Sequence, residues 1–313
     1  MNRHSFEGRV AIVTGAGRGI GRAHALLLAD RGASVVVNDL GGSMAGLGAD
    51  AGVAARVAEE IVSAGGSAVS DSSDVASTVG ARTLIDSALE RFGRIDILIN
   101  NAGIIRWAAL PDADENNLAS HLAVHTVGSF NTTRAAWPYM VERGYGRIVM
   151  TTSTGIFGLP QNLSYATAKA AVIGLTRSLK TAGSRHGIKI NLIAPAAFTR
   201  MAGQPDVDSS DSSDASTPMS PDLVAPMVAF LAHEACPVSG EIYAAGAGRF
   251  SRIFIASTPG YVQTTSEPTI EDIAQNWATI NDETGYSIPE DLTDWSSTFL
   301  AHLQAGGVAR EGS

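Results

Sequence analysis

A chain of 313 residues, 45% hydrophobic and 17% charged, can bury one large core, and it holds no run of about 18 apolar residues that would span a membrane. Its formal net charge of -9, without a cluster of Lys and Arg, excludes nucleic acid and anionic membrane as main partners, because phosphate binding rests on clustered cations. The one cysteine, Cys236, excludes an intramolecular disulfide framework and a Cys-rich zinc site; with no secretory pattern in "MNRHSFEGRV" and no peroxisomal ending in "AREGS", the expected location is cytoplasmic.

The elements alternate along the chain. The apolar run "RVAIVTGAG" reads as a strand closing on glycines, "IGRAHALLLADRGA" as a helix with a glycine stop, and "SVVVNDLGG" as a second β-branched strand. The same rhythm continues. "AARVAEEIVSAGG" precedes "SAVSDSSDV", "VGARTLIDSALERFG" precedes "RIDILINNAG", and "HLAVHTVGSFNTTRAAWPYMVERG" precedes "GRIVMTTS". A last pair follows, "SYATAKAAVIGLTRSL" as helix and "IKINLIAPAA" as strand, before the helix-like "VAPMVAFLAHEA" and the last apparent strand, "GEIYAAGAG". Continuous apolar strands between amphipathic helices predict an α/β fold: a doubly wound parallel sheet with helices on both faces. Ligands bind such sheets at the carboxyl ends of the strands.

Four motifs fall at those ends. "TGAGRGIG", residues 14–21, stands between strand and helix, where glycines let the backbone approach a pyrophosphate met by N–H groups of the helix start; Gly15, Arg18, Gly19 and Ile20 are the candidate contacts. Asp39 lies 18 residues beyond Gly21, where a carboxylate can accept both ribose hydroxyls of adenosine. Asn101, Ala102 and Gly103 in "INNAG", with Asp74 and Val75 at the end of the preceding strand, could flank an adenine and its ribose. Tyr165 and Lys169 share one helix face, so an ammonium near the phenol would favour its ionisation and make it a general base.

In this order and spacing, with Ser153 upstream in "MTTSTG", these motifs resemble the short-chain dehydrogenase/reductase family over residues 8 to about 250. The resemblance implies a single-domain Rossmann fold, NAD as cofactor, and catalysis by Ser153, Tyr165 and Lys169. Tyr165 would take the hydroxyl proton, Ser153 would bind the same oxygen, and Lys169 would hold the nicotinamide ribose and lower the tyrosine pKa. His125 in "VHTVGSF" stands where the family has asparagine, whose main-chain carbonyl binds a relay water; Pro195 and, less directly, Thr199 are implied carboxamide contacts. The 12 residues from Ser153 to Tyr165 are one fewer than the family spacing, which leaves Thr152 as the alternative hydroxyl. Arg18 either supports NADP or pairs with Asp39.

"VVVNDLGG", "FGRIDILINNAGIIR", "VHTVGSFNTTRAAWPYM" and the tail around "TIEDIAQNW" are similar to the 3-hydroxyacyl-CoA dehydrogenase units of peroxisomal multifunctional enzymes. That subgroup implies a 3-hydroxyacyl thioester or hydroxysteroid as the small-molecule substrate, and a homodimer or homotetramer. The reading from another class is a catalytically silent NAD-binding sensor or scaffold. Metal binding is not expected: His121 and His125 have helical ligand spacing, but Leu122 stands where a zinc peptidase has glutamate. The dehydrogenase domain is expected over 1–250. Residues 251–313, with Trp277 and Trp295, form a C-terminal extension expected to pack on the core or a partner, and the Ser/Asp-rich residues 203–221 are expected to be a mobile surface loop, either a disordered insertion or a lid over the substrate.

Overall fold

The computed structural model describes residues 4–198, 218–263 and 267–303; Thr199 and most of the Ser/Asp-rich loop lie outside the described residues. Two compact units divide the chain at Arg252 and Ile253.

The first unit is built on parallel strands; the inner ones are buried on both faces, which is why they read as apolar runs, whereas the edge strand Ser67–Asp71 holds no buried residue. They are β1 (Val10–Thr14), β2 (Ser34–Asn38), β3 (Ser67–Asp71), β4 (Ile97–Asn100), β5 (Gly146–Thr151), β6 (Ile188–Pro195) and β7 (Ile242–Gly246). The sheet order is β3-β2-β1-β4-β5-β6-β7, followed by an eighth strand, β8 (Arg249–Ile253). Only Ala247 and Gly248, at φ 51 and 74, join β7 to β8, a link short enough for an antiparallel pair alone. The expectation that β7 ends the sheet is therefore corrected. "RFSRI" carries no apolar run because four of its five residues are exposed.

Helices α1 (Gly19–Asp30), α2 (Gly52–Ser63), α3 (Thr78–Phe92), α4 (Glu115–His121), α5 (Gly128–Arg143), α6 (Leu163–Gly183) and α7 (Ala225–Ala232) make the crossovers. The helices α1, α2 and α7 pack together, as do α3 and α5. Between the two layers Ile12, Ile97, Leu98, Ile99, Ile148 and Met150 are fully buried, each contributing about 1.5–3 kcal/mol of transfer energy. The strand order reverses between β1 and β4, and the crevice above that point is where the site forms.

The second unit carries α8 (Ile270–Gln275), α9 (Trp277–Ile280) and α10 (Leu292–Phe299). A reciprocal box between Thr269 and Asp272 caps α8, and Asp291 caps α10. Trp295 stacks on Phe299 with ring centroids 4.5 Å apart and donates its indole N–H to Ser257 Oγ at 3.3 Å.

Candidate active site

A cleft of about 660 Å³ opens over the carboxyl ends of β1, β2 and β4. Gly15, Gly17, Arg18, Gly19, Ile20 and Gly21 line one side. Gly15 and Gly19 have φ of 63 and 52, conformations that only glycine adopts cheaply. A Cβ at Gly21 would enter the Gly15 carbonyl, and one at Gly17 would collide with Val53. At the start of α1, Arg18 gives no side-chain acceptor to the first-turn N–H groups, which leaves that positive helix end to an anion.

Asp39 follows β2 and lines the same cleft. Its carboxylate accepts the Gly17 N–H at 2.9 Å and the Gly41 N–H at 2.7 Å. Arg18 does not pair with it: the guanidinium donates to the Gly42 carbonyl at 3.4 Å. Asp74 and Val75 line the cleft as well, but they sit beyond β3, which ends at Asp71, where Asn38 Nδ2 reaches the Asp71 carboxylate at 2.8 Å. The boundary moves because Asp71 also accepts the Ser73 N–H at 2.8 Å, turning the chain out of the ladder. Thr14 Oγ1 accepts the N–H groups of Asn101 and Ala102, both at 3.0 Å, and Asn101 Nδ2 donates to the carbonyls of Thr14 and Gly15. Those bonds lock the tip of β4 to the glycine turn. Gly103 is the far wall, closed from behind by the His125 ring, which a Cβ at 103 would strike.

The second cluster adjoins that wall. Tyr165 and Lys169 lie in the first turns of α6, whose N-terminus is capped by buried Asn162, its Oδ1 accepting the Tyr165 N–H at 3.1 Å. Ser153 follows β5; its Oγ accepts the Gly155 N–H at 3.0 Å and lies close enough to the Tyr165 phenol to favour the phenolate. Lys169 Nζ donates to the Thr151 carbonyl at 2.9 Å and stands 5.7 Å from the centre of the Tyr165 ring. Here the expected electrostatics is corrected. Burial pushes the phenol up, the Ser153 hydrogen bond pulls it down, and burial lowers Lys169 to about 7. The ammonium that was to lower the tyrosine is therefore only about half populated at pH 7.

His125 lies on a π-helical turn, Leu122–Val127, and its ring meets Tyr165 edge-on at 5.3 Å. Its main-chain carbonyl, the implied water acceptor, already accepts Ser129 Oγ at 2.7 Å. His121 stacks on His125 at 6.0 Å, and both of its nitrogens are engaged, by the Asn117 carbonyl and the Arg106 N–H. Burial holds both imidazoles neutral, with pKa values below the usual range.

Thr152 is fully buried and donates to the Lys169 carbonyl at 2.8 Å, so its hydroxyl is spent on fastening α6 to β5. Ser153→Ala is therefore expected to cut turnover about a hundredfold or more, the scale on which oxyanion-type donors act, while Thr152→Ala acts on thermal stability. Steady-state kinetics on both variants checks this; loss of turnover in Thr152→Ala alone would move the catalytic hydroxyl. Pro195 ends β6 beside Ala245 of β7 and does not line the cleft.

Sequence reasoning missed several lining residues: Ser43, Met44 and Gly46 of the loop after β2, and Pro221 and Asp222. The glycine-rich run "DLGGSMAGLGADAG" was the available signal for the first group. Asn162 was also missed, although an Asn three residues before a helical Tyr is an N-cap signature.

A family model described as short chain dehydrogenase matches residues 9–208. The chain is 40% identical to peroxisomal multifunctional enzyme type 2 of Drosophila melanogaster over 98% of this chain and 51% of that protein, so it spans about half the length of that relative. It is 36% identical to a hydroxyacyl-CoA dehydrogenase of Mycobacterium tuberculosis, covering 77% of this chain and 78% of that one. Among solved structures, a short chain dehydrogenase from Mycobacterium avium superposes with a TM-score of 0.75 at 35% identity, over 89% of this chain and 98% of that chain.

Proposed function

The chain belongs to the short chain dehydrogenase family of oxidoreductases, and from that premise we propose that it interconverts a secondary alcohol and a ketone with NAD, on a 3-hydroxyacyl-CoA or a hydroxysteroid. The observation that carries the reading is Tyr165 with Lys169 one turn along α6 and Ser153 acting on the phenol, beside a glycine-cradled cleft. Nothing in the site favours the silent-scaffold alternative.

The cleft fits a dinucleotide. Its volume lies within the range of small-molecule sites, the glycines clear a path for a pyrophosphate, and Asp39 stands where a ribose would end. Gly15, Arg18, Gly19 and Ile20 would face the phosphates, Asp39 the adenosine ribose, Asp74 and Val75 the adenine, and Asn101, Ala102 and Gly103 the strand-tip side. Bound NAD supplies the hydride acceptor. Tyr165 takes the proton of the substrate hydroxyl, and Ser153 donates to the oxygen that becomes the carbonyl. Lys169, fixed by the Thr151 carbonyl, stabilises the phenolate whenever it carries its proton. His125 and Asn162 hold the ring and the helix start in register.

Support for a bulky apolar substrate comes from Trp107, Leu110 and Phe157, which are 49%, 74% and 73% exposed on the segments that follow β4 and Ser153. The relative named for hydroxyacyl-CoA dehydrogenation favours the thioester. NADH formation across a panel of 3-hydroxyacyl-CoA esters and steroid alcohols tests the assignment, and absence of turnover with every member would overturn it.

Cofactor choice follows from Asp39. A 2'-phosphate beside its carboxylate costs on the order of several kcal/mol at an effective dielectric of about 20. Arg18, occupied by the Gly42 carbonyl, does not neutralise that carboxylate. NAD is expected to bind at least about tenfold more tightly than NADP by fluorescence titration. Equal affinities would defeat the assignment.

A homodimer or homotetramer is part of the same reading, supported by Val127 and Phe130, which are 43% and 44% exposed. No helix among the described residues is long and apolar enough to cross a membrane. A cytoplasmic location belongs to the same proposal; the organelle named in the relatives' names is theirs.

A further inference from the structure

The loop between β2 and α2 lies along the cleft and then reaches away from it. Leu40, Gly42, Ser43, Met44 and Gly46 line the cavity, and the loop is folded on itself by Asp50 N–H to the Leu40 carbonyl at 2.9 Å and Ser43 N–H to the Leu47 carbonyl at 2.8 Å. Beyond the cavity, the Met44 carbonyl accepts the Ile105 N–H at 2.8 Å and the Ala45 carbonyl accepts Arg106 Nε at 2.7 Å. Arg106 is the junction where this loop meets the catalytic cluster.

Arg106 ties three parts of the fold together: the loop after β2, α4 and the cap of α6. Nη1 donates to Ser120 Oγ on α4 at 2.9 Å, and the main-chain N–H donates to His121 Nε2 at 3.2 Å. The main-chain carbonyl accepts Asn117 Nδ2 at 3.0 Å and Asn162 Nδ2 at 3.2 Å. Asn162 is the fully buried residue whose Oδ1 holds the Tyr165 N–H, and His121 presents its edge to the Tyr165 ring at 6.2 Å. Three hydrogen bonds thus connect the loop over the cleft to the first turn of the helix that carries the phenol. Among the described residues, no carboxylate pairs with the guanidinium, so its fork is committed to a carbonyl and a hydroxyl that belong to different elements.

We propose that Arg106 is a positioning residue that couples the loop over the cofactor cleft to the cap of α6, so that a cofactor held under the loop fixes Tyr165 for proton transfer. The inference rests on the NAD reading of the cleft. The planar fork is required because Nε and Nη1 point to acceptors on separate elements; a lysine keeps the charge and reaches one of them. Displacing a reacting group by about 1 Å can cost a hundredfold in rate, so a loosened cap reaches the chemistry without touching the substrate.

The test uses Arg106→Lys, with Arg106→Met as the more severe variant, and reads three quantities: NADH affinity, steady-state constants, and amide exchange with and without saturating NAD. In the unaltered protein NAD is expected to slow exchange in residues 40–48 and in the first turn of α6, 163–166. In Arg106→Lys the protection of 40–48 should persist, the change at 163–166 should vanish, and kcat should fall about tenfold or more with substrate KM nearly constant. A merely structural role would lower the melting temperature and leave the NAD-dependent change at 163–166 in place. Wild-type-like coupling at 163–166 in both variants, or no NAD effect there in the unaltered protein while 40–48 responds, would overturn the proposal and leave the cofactor reading standing. No NAD effect at 40–48 in the unaltered protein would overturn the cofactor reading, and this proposal with it.

Discussion

Tyr165→Phe is expected to lower turnover by at least about a hundredfold while NAD affinity stays nearly intact. The substitution deletes one oxygen and leaves a ring of the same shape between the His125 edge at 5.3 Å and Lys169 Nζ at 5.7 Å. The Asn162 cap is a main-chain contact and survives. What disappears is the group proposed to receive the substrate proton, on which Ser153 acts. The environment sharpens the expectation. Burial raises the phenol and lowers Lys169 to about 7, so the competent form, with tyrosine ionised and lysine charged, shares its net charge with the resting form and differs by one proton passed between two neighbours. At acid pH both groups hold their protons, and loss of one, near the Lys169 value of about 7, gives the charge state that the resting and competent forms share; oxidation of the alcohol should therefore accelerate from acid pH to about neutrality and then level off, a dependence that Tyr165→Phe should abolish along with the rate. Single-turnover NADH formation from pH 6 to 9 reads both. Turnover retained in the phenylalanine variant would sink the mechanism.

The reach of sequence reasoning can be judged from where each feature gets its energy. The inner strands β1, β2, β4, β5 and β6 were legible because burial on both faces forces apolar residues into runs, the edge strand β3 only from the alternation of elements, and the glycine turn because Gly15 and Gly19 need positive φ. β8 was illegible because it is an exposed edge whose stability comes from pairing with β7, a contact that leaves no apolar pattern. The spacing of Tyr165 and Lys169 was legible as a shared helix face. The direction of their electrostatics was not, since desolvation depends on what the fold places around them. Arg106 escaped for the same reason: its partners Ala45, Ser120 and Asn162 are scattered along the chain and meet only in the folded protein. The choice between Thr152 and Ser153 likewise turned on a tertiary contact, the Lys169 carbonyl that occupies the threonine.

His24→Leu is expected to make the protein markedly more resistant to acid. His24 lies on α1, the helix that also packs on α7, with its imidazole 1% exposed and neither ring nitrogen hydrogen-bonded. An unpartnered buried polar group costs on the order of 1–3 kcal/mol before any charge is added. Burial alone lowers its pKa from 6.5 to about 3. Between those values the unfolded chain binds a proton that the folded chain refuses, so the contribution of His24 to stability is complete above pH 6.5 and is lost progressively as pH falls towards 3. At about 1.4 kcal/mol per pH unit the full loss is roughly 4–5 kcal/mol, and at pH 5 it is about 2 kcal/mol, a large share of a typical folding free energy. Leucine fills a similar space and binds no proton. His121 and His125 are also held neutral by burial and drain stability in the same direction, but both remain in the variant, so the difference between the two proteins isolates His24. Urea unfolding at pH 7.5 and pH 5 measures it: the unaltered protein should lose about 2 kcal/mol more than His24→Leu across that interval. Equal losses in the two proteins would show that the imidazole accepts its proton without unfolding the helix packing around it, and would overturn the assignment of His24 as an acid-labile point of the core.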